Sequence, residues 1–312
     1  MVIQHAACVP SVPDTAPAYW RFHEAVTRAR LLAWLPPGQR LLVDVSGPHA
    51  DSAQVAAMVG HRVIRVLDDD EGPGSVPMAP SARPGGTDGA IGTLGATDGL
   101  RMVTGDAATL NFLTSESVDG VIAGDRALST HLAAEPMVAA IARVLRPGGR
   151  VLASVDSLVL GMAMLAGQSR WAHLADLPQA DVVLVPWPDG TITRCYTADQ
   201  VRELFTGAGL TISWVRPLTA FSENVVVRAL RQDPGSMVRL VRAELSARPG
   251  RESPDESAGS ALMVAACKAL WPAGRYRRRR ACLAWQPTQR EAAGCASSLP
   301  TGISCPQSTH WP

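Results

Sequence analysis

Lysine is almost absent from this chain. Lys268 is the only one, and arginine supplies nearly all of the positive charge. Lysine and arginine together number 29 against 28 acidic residues, a formal net charge of +1. Such a balance gives no bulk argument for nucleic acid or for an acidic membrane surface as a partner. No apolar run reaches the roughly 18 residues that a membrane-spanning helix needs, so no span is expected. Residues 1–17 hold no basic region followed by an apolar stretch, so no secretory signal is expected. The cysteines never occur with CxxC spacing, and Cys267, Cys282, Cys295 and Cys305 all fall late in the chain. A zinc or redox site is not expected from them, and free thiols in a cytoplasmic protein are.

What is present is a rhythm. Residues 1–17 read as a flexible arm. Trp20 to Leu35 repeats apolar residues at helical spacing and stops at Pro36-Pro37-Gly38. Arg40 to Val45 is a short apolar run bounded by turn residues, the pattern of a strand buried on both faces. A helix capped by Asp51 or Ser52 and running through Ala53, Val55, Ala56 and Met58 to Gly60, and a second strand from His61 to Leu67, complete a βαβ unit. Residues 71–100 are dense in Gly, Pro, Ser and Thr and read as an extended or disordered insertion. The rhythm resumes with strands at 100–104, 118–123 and 150–155 and a helix at Glu135–Val144. A long segment from Leu158 to Cys195 then has a helical first half and a Trp/Pro-rich second half. Thr197 caps a further helix, with Asp199 and Gln200 close behind. Leu210–Val215 and Asn224–Ala229 read as strands and Val238–Leu245 as a helix. Beyond residue 248 the periodicity fades, and 249–312 read as a disordered basic tail. The expected domain therefore covers 18–248. Its fold class is α/β, a doubly wound, mostly parallel sheet.

Two motifs narrow this class. Ala142-Arg-Val-Leu-Arg-Pro-Gly-Gly-Arg-Val-Leu152 resembles the turn that opens strand five in class I S-adenosylmethionine-dependent methyltransferases, in the ubiquinone and menaquinone C-methyltransferase-like group. Gly105-Asp106-Ala107, followed by Leu110 and Phe112, is similar to that family's GDA element. The resemblance covers about 200 residues and implies a seven-stranded Rossmann-like sheet with S-adenosylmethionine as cofactor. It places Asp44 at the end of strand one, beside Ser46 and Gly47 of the first loop. Asp68, or Asp69 by a shift of one residue, would accept hydrogen bonds from the ribose hydroxyls. Asp106 would take the adenine amine and the Ala107 N–H a ring nitrogen. Gly124 and Asp125 would meet the methionine end. Each acid also has a plain reading: Asp44 can brace its own loop, and Asp125 can pair with Arg126.

The first loop departs from the family. Aligned on Asp44, the residues Ser46, Pro48 and Ala50 stand where glycines should alternate, and Gly47 falls out of phase. Proline fixes φ and removes a donor, which weakens the close backbone approach that such glycines allow. The G-x-G-x-x-G fingerprint of nicotinamide enzymes is missing after strand one, which argues against a dehydrogenase. His49, His131 and His173 could each face an acceptor, and the sequence assigns none of them a catalytic role. Trp171 and Trp187 suggest an apolar lid over an acceptor. The expected function is methyl transfer to a small molecule, without nucleic acid or a metal. The alternative is a non-methylating relative acting as a binding, regulatory or pathway accessory module. The catalytic base, the acceptor and the oligomeric state are not legible.

Overall fold

The computed structural model describes residues 16–47, 50–68, 94–97, 99–177, 180, 182–187, 190–246 and 259–270. Among the described residues, ten strands form one sheet. They are β1 (Leu41–Asp44), β2 (Arg62–Leu67), β3 (Leu94–Thr97), β4 (Leu100–Thr104), β5 (Val118–Ala123), β6 (Leu145–Ser157), β7 (Val183–Pro186), β8 (Ile192–Tyr196), β9 (Leu210–Pro217) and β10 (Ala261–Lys268). The main order is β3-β4-β2-β1-β5-β6-β10-β9, with β8 attached to β6 and β7 to β8. From β4 through β6 neighbouring strands are parallel. This is the doubly wound, mostly parallel sheet of class I methyltransferase type that the sequence led us to expect, with seven core strands plus β3, β7 and β8. Strand order reverses between β1 and β5, which creates a crevice beyond their carboxyl ends.

Helices cover both faces. α1 (Ala16–Trp34) and α2 (Ser52–Met58) lie on one side, where Leu31, Trp34, Leu35 and Val55 pack with Leu42, Ile122 and Leu152. α4 (Ala134–Val144) and α7 (Ala198–Gly207) lie on the other, where Met137, Ile141, Val201 and Phe205 pack with Val43, Val121 and Val151. Adjacent strand residues thus serve opposite layers, which is why the strands read as unbroken apolar runs. α3 (Ala127–Thr130) follows β5, and α5 (Leu158–Gly167) and α6 (Trp171–Asp176) follow β6. Thr197 and Gln200 form a complete capping box at the start of α7. The Arg146-Pro147-Gly148-Gly149 turn is an excursion within β6, between residues paired to Val118 and Gly120. Gly148 has φ +80°, and a Cβ there would sit 2.8 Å from Leu270. The backbone conformation favours glycine, while the exposed end of the Leu270 side chain can swing aside.

Three segments differ from the sequence expectation. Residues 223–232 form helix α8 (Glu223–Gln232), although Asn224–Ala229 reads as a strand. Val226 and Leu230, one helical turn apart, pack against Phe22 and Val26 of α1, while Val225 is exposed. Tertiary packing overrides the β-branched propensity of the three valines. The Trp/Pro-rich half of 158–195 contains the hairpin β7–β8, which docks beside the end of β6 through Asp156–Cys195 and Ser157–Tyr196 pairing. Within 71–100, residues 94–97 pair antiparallel with β4, and most of the remainder lies outside the described residues.

The largest correction concerns the domain end. β10 lies inside the expected tail, yet it runs antiparallel between β6 and β9 and pairs with both. Residues 261–267 are all buried. A seven-residue apolar run, Ala261–Cys267, surrounded by irregular sequence is a buried strand once two sheet edges receive it. Ahead of this strand in the chain, α9 (Met237–Ser246) closes the α1–α8 layer through Glu244. The buried Glu244 carboxylate accepts the N–H groups of Ala220 (2.8 Å) and Phe221 (3.1 Å) and meets Arg30 at 3.4 Å.

Leu262, Met263 and Val264 each contribute about 2 kcal/mol of burial, and total stability for a domain is only about 5–15 kcal/mol. A chain ended after residue 248 should therefore lose its cooperative calorimetric unfolding transition. A sharp transition in that shortened chain would contradict the structural role of β10.

Candidate functional site

The chain's exit from β1 is set by Asp44. Its carboxylate is buried and accepts the Ser46 N–H at 2.8 Å and the Ser52 hydroxyl at 2.5 Å. Ser52 opens α2, so one side chain ties the strand end to the next helix. Burial pushes the Asp44 pKa up, and hydrogen bonds from Ser46 and Ser52 and the charge of Arg65 pull it back. Ser46 then turns its hydroxyl across the crevice, where it accepts the Gly124 N–H at 2.7 Å. Gly47 sits at φ +81°, and its carbonyl accepts from Arg65 Nη2 at 2.5 Å. No side chain would clash there, so glycine serves backbone conformation alone. Pro48 and His49 lie outside the described residues.

Asp68 follows β2. Its Oδ1 accepts the Ala107 N–H at 2.9 Å, and its Oδ2 lies 3.2 Å from His131 Nε2. The hydrogen bond from His131 holds the Asp68 carboxyl below its ordinary value; burial opposes this, and the Ala107 N–H adds to it. Asp106 is exposed and serves its own turn, accepting from the Ala108 N–H (2.8 Å) and the Thr109 hydroxyl (2.6 Å). That is the ordinary use of an aspartate at a turn.

After β5 the backbone takes a rare course. Asp125 (φ 46°) and Arg126 (φ 64°) are consecutive non-glycine residues in the left-handed region. Such conformations cost about 1–3 kcal/mol each and gather at ligand sites. Arg126 Nε lies 2.8 Å from Asp156 Oδ1, and its Nη2 lies 2.9 Å from Oδ2. The guanidinium also sits over the Trp187 ring, 4.2 Å from its centroid. Trp187 is fixed in turn by its indole N–H, which donates to Thr193 at 2.7 Å. Asp156 is buried at the end of β6. Burial raises its pKa and Arg126 opposes the rise. Close by, burial and then the charge of Asp156 push the Cys195 thiol up to about 12, so it stays protonated.

A cavity of about 420 Å³ opens at the strand-order reversal. Ser46, Gly47, Asp68, Ala107 and Asp125 line it, and so do Arg126 and His131. Of the sequence candidates, Asp44, Asp106 and Gly124 are not in its lining. Asp44 and Gly124 brace the loop beneath it, and Asp106 stays in its turn. His173 is exposed on α6 and does not line the cavity either. Sequence reasoning missed Asp156 as the partner of Arg126. The available signal was an acid ending an otherwise apolar strand, Val155-Asp156-Ser157.

No protein-family model and no curated protein matches the chain. Solved structures do resemble it at low identity. One is an S-adenosylmethionine-dependent methyltransferase from Mesorhizobium loti, 15% identical, with 79% of this chain and 100% of that one covered and a TM-score of 0.47. Another is the Burkholderia thailandensis 1,6-didemethyltoxoflavin-N1-methyltransferase with bound 1,6-didemethyltoxoflavin and S-adenosylhomocysteine. It is 14% identical, with 80% and 81% covered and a TM-score of 0.45. A third is phosphoethanolamine N-methyltransferase 2 from Haemonchus contortus in complex with S-adenosyl-L-methionine, 13% identical, with 80% and 53% covered and a TM-score of 0.45.

The lowered pKa of Asp68 has a testable sign. Its ionised form stabilises the fold, fully above the ordinary value of 3.8 and progressively less as pH falls through the folded-state value. Asp68→Asn should be less stable than the parent at pH 6, and the gap in urea midpoints should close on acidification below about pH 4. A gap that widens there would reverse the assignment.

Proposed function

We propose that this chain transfers a methyl group from S-adenosylmethionine to a small-molecule acceptor. The observation that carries the reading is the cavity at the strand-order reversal, with a carboxylate after β2 and a backbone N–H after β4 on one rim. Ligands of open α/β sheets bind at this point. Its volume falls within the roughly 300–1,000 Å³ of small-molecule sites. The Arg143 to Gly149 turn, similar to that of ubiquinone and menaquinone C-methyltransferase-like enzymes, joins the same reading.

The residues suit the cofactor. Asp68 would accept from the ribose hydroxyls, since an ionised carboxylate makes the stronger hydrogen bond. Ala107 would offer its N–H to the adenine. Ser46, Gly47 and Asp125 would border the amino-acid end. When bound, the cofactor supplies an electrophilic methyl group on a sulfonium. The chain's own task is to orient the acceptor and exclude water. Entry of the ribose requires His131 to leave Asp68 Oδ2 or to share it.

A second reading rests on the same contacts. Ser46, Asp68 and Ala107 already satisfy groups of this protein, and the loop lacks the alternating glycines. A non-methylating binding or accessory protein would show this self-satisfied site.

Calorimetry on the full chain separates the two. Methyl transfer predicts S-adenosylmethionine binding in the micromolar range, about −8 kcal/mol. Asp68→Ala should weaken it by about tenfold or more. A folded chain that gives no heat at millimolar ligand would favour the accessory reading.

A further inference from the structure

The geometry points to Arg126 as the residue that holds the acceptor. The acceptor class it fits is an uncharged, planar molecule with two adjacent oxygen acceptors, as in a carbonyl beside a phenol. This inference rests on the methyl-transfer reading for the acceptor's role, but the binding site itself does not.

A guanidinium carries five N–H donors on two usable edges. In Arg126 the side edge, Nε with Nη2, is spent on the buried Asp156 carboxylate. The end edge contains Nη1, which has no partner among the described residues, and Arg126 lines the cavity. The fork is fixed before any ligand arrives. Asp156 grips it from one side and the Trp187 ring lies against it at 4.2 Å. Thr193 holds that ring through its indole N–H. The backbone carrying it is locked at φ 64°, with its N–H reaching Ser154 Oγ at 3.4 Å. A rigid planar fork matches a planar pair of oxygens and loses little freedom on binding.

Charge selects within that class. The positive charge of Arg126 is already matched by Asp156. Asp68 and Asp125 add two more carboxylates to the lining. The His131 imidazole on the same lining lies against Asp68, so a second anion would meet basic groups that already face carboxylates, and an uncharged oxygen pair is favoured over a carboxylate.

Salicylamide and salicylate test this directly. They share a planar ring with adjacent oxygens and differ in charge. Each is titrated calorimetrically into the full chain, with and without saturating S-adenosylhomocysteine. We expect salicylamide to bind at least about tenfold more tightly than salicylate. Arg126→Lys keeps a cation beside Asp156 but lacks the fork, and it should weaken salicylamide by about tenfold or more. Equal or tighter binding of salicylate overturns the proposal. So does undiminished salicylamide binding by folded Arg126→Lys, or no heat from either probe at about 10 mM. If Arg126→Lys fails to fold, the preference of the parent chain decides alone. Failure of S-adenosylhomocysteine to bind would count against methyl transfer, while a salicylamide preference in its absence would still support the Arg126 site.

Discussion

A single buried carboxylate governs how this protein presents its crevice. Asp44 is shut away from water at the end of β1, where a carboxylate is tolerated only with donors on its oxygens. It finds them in the Ser46 N–H and the Ser52 hydroxyl. Those two bonds fix both ends of the β1–α2 connection. With the loop fixed, Ser46 can reach Gly124 on the far side of the strand-order reversal, and Gly47 can offer its carbonyl to Arg65. The floor of the cavity is therefore a consequence of one desolvated acid. The serine at position 46 also has a structural explanation: its hydroxyl bridges β1 to β5, a bond that glycine cannot make.

Much of the core was legible because it obeys local rules. β1, β2, β4 and β5 are short apolar runs with turn residues at their ends, and the structure keeps nearly the same limits. The Thr197–Gln200 capping box is a chemical signature read directly from three residues' spacing. The failures share a cause. Val225, Val226 and Val227 favour a strand locally, and only contact with Phe22 and Val26, two hundred residues away in sequence, makes them helical. β7 and β8 carry little apolar alternation and gain their strand pairing from the end of β6. β10 was lost among irregular neighbours, since its partners are distant strands that no local window contains.

The site was legible as a neighbourhood and less so as a set of contacts. The acids after β1 and β2 were recognisable from position. What each does depends on its nearest donors, and these come from separate segments. Asp68 is matched by a histidine after α3, and Arg126 by an acid at the end of β6. Pairings of this kind follow from topology, which brings strand ends together that the sequence keeps apart. The Arg126–Asp156–Thr193–Trp187 group also shows how the β7–β8 hairpin does more than extend the sheet. It delivers an aromatic ring, held by a buried hydroxyl, that supports Arg126, and Arg126 lines the cavity formed by the core strands.

The place of β10 has a consequence for how the protein is made. β6 and β9 are not neighbours; the space between them belongs to a strand synthesised after both. On the ribosome, the nascent chain would carry two unzipped sheet margins until Ala261–Lys268 emerges. Open margins of this kind invite pairing with other chains. The last strand among the described residues is thus the one that seals the sheet, and the interval before its arrival is when the polypeptide has most need of a chaperone.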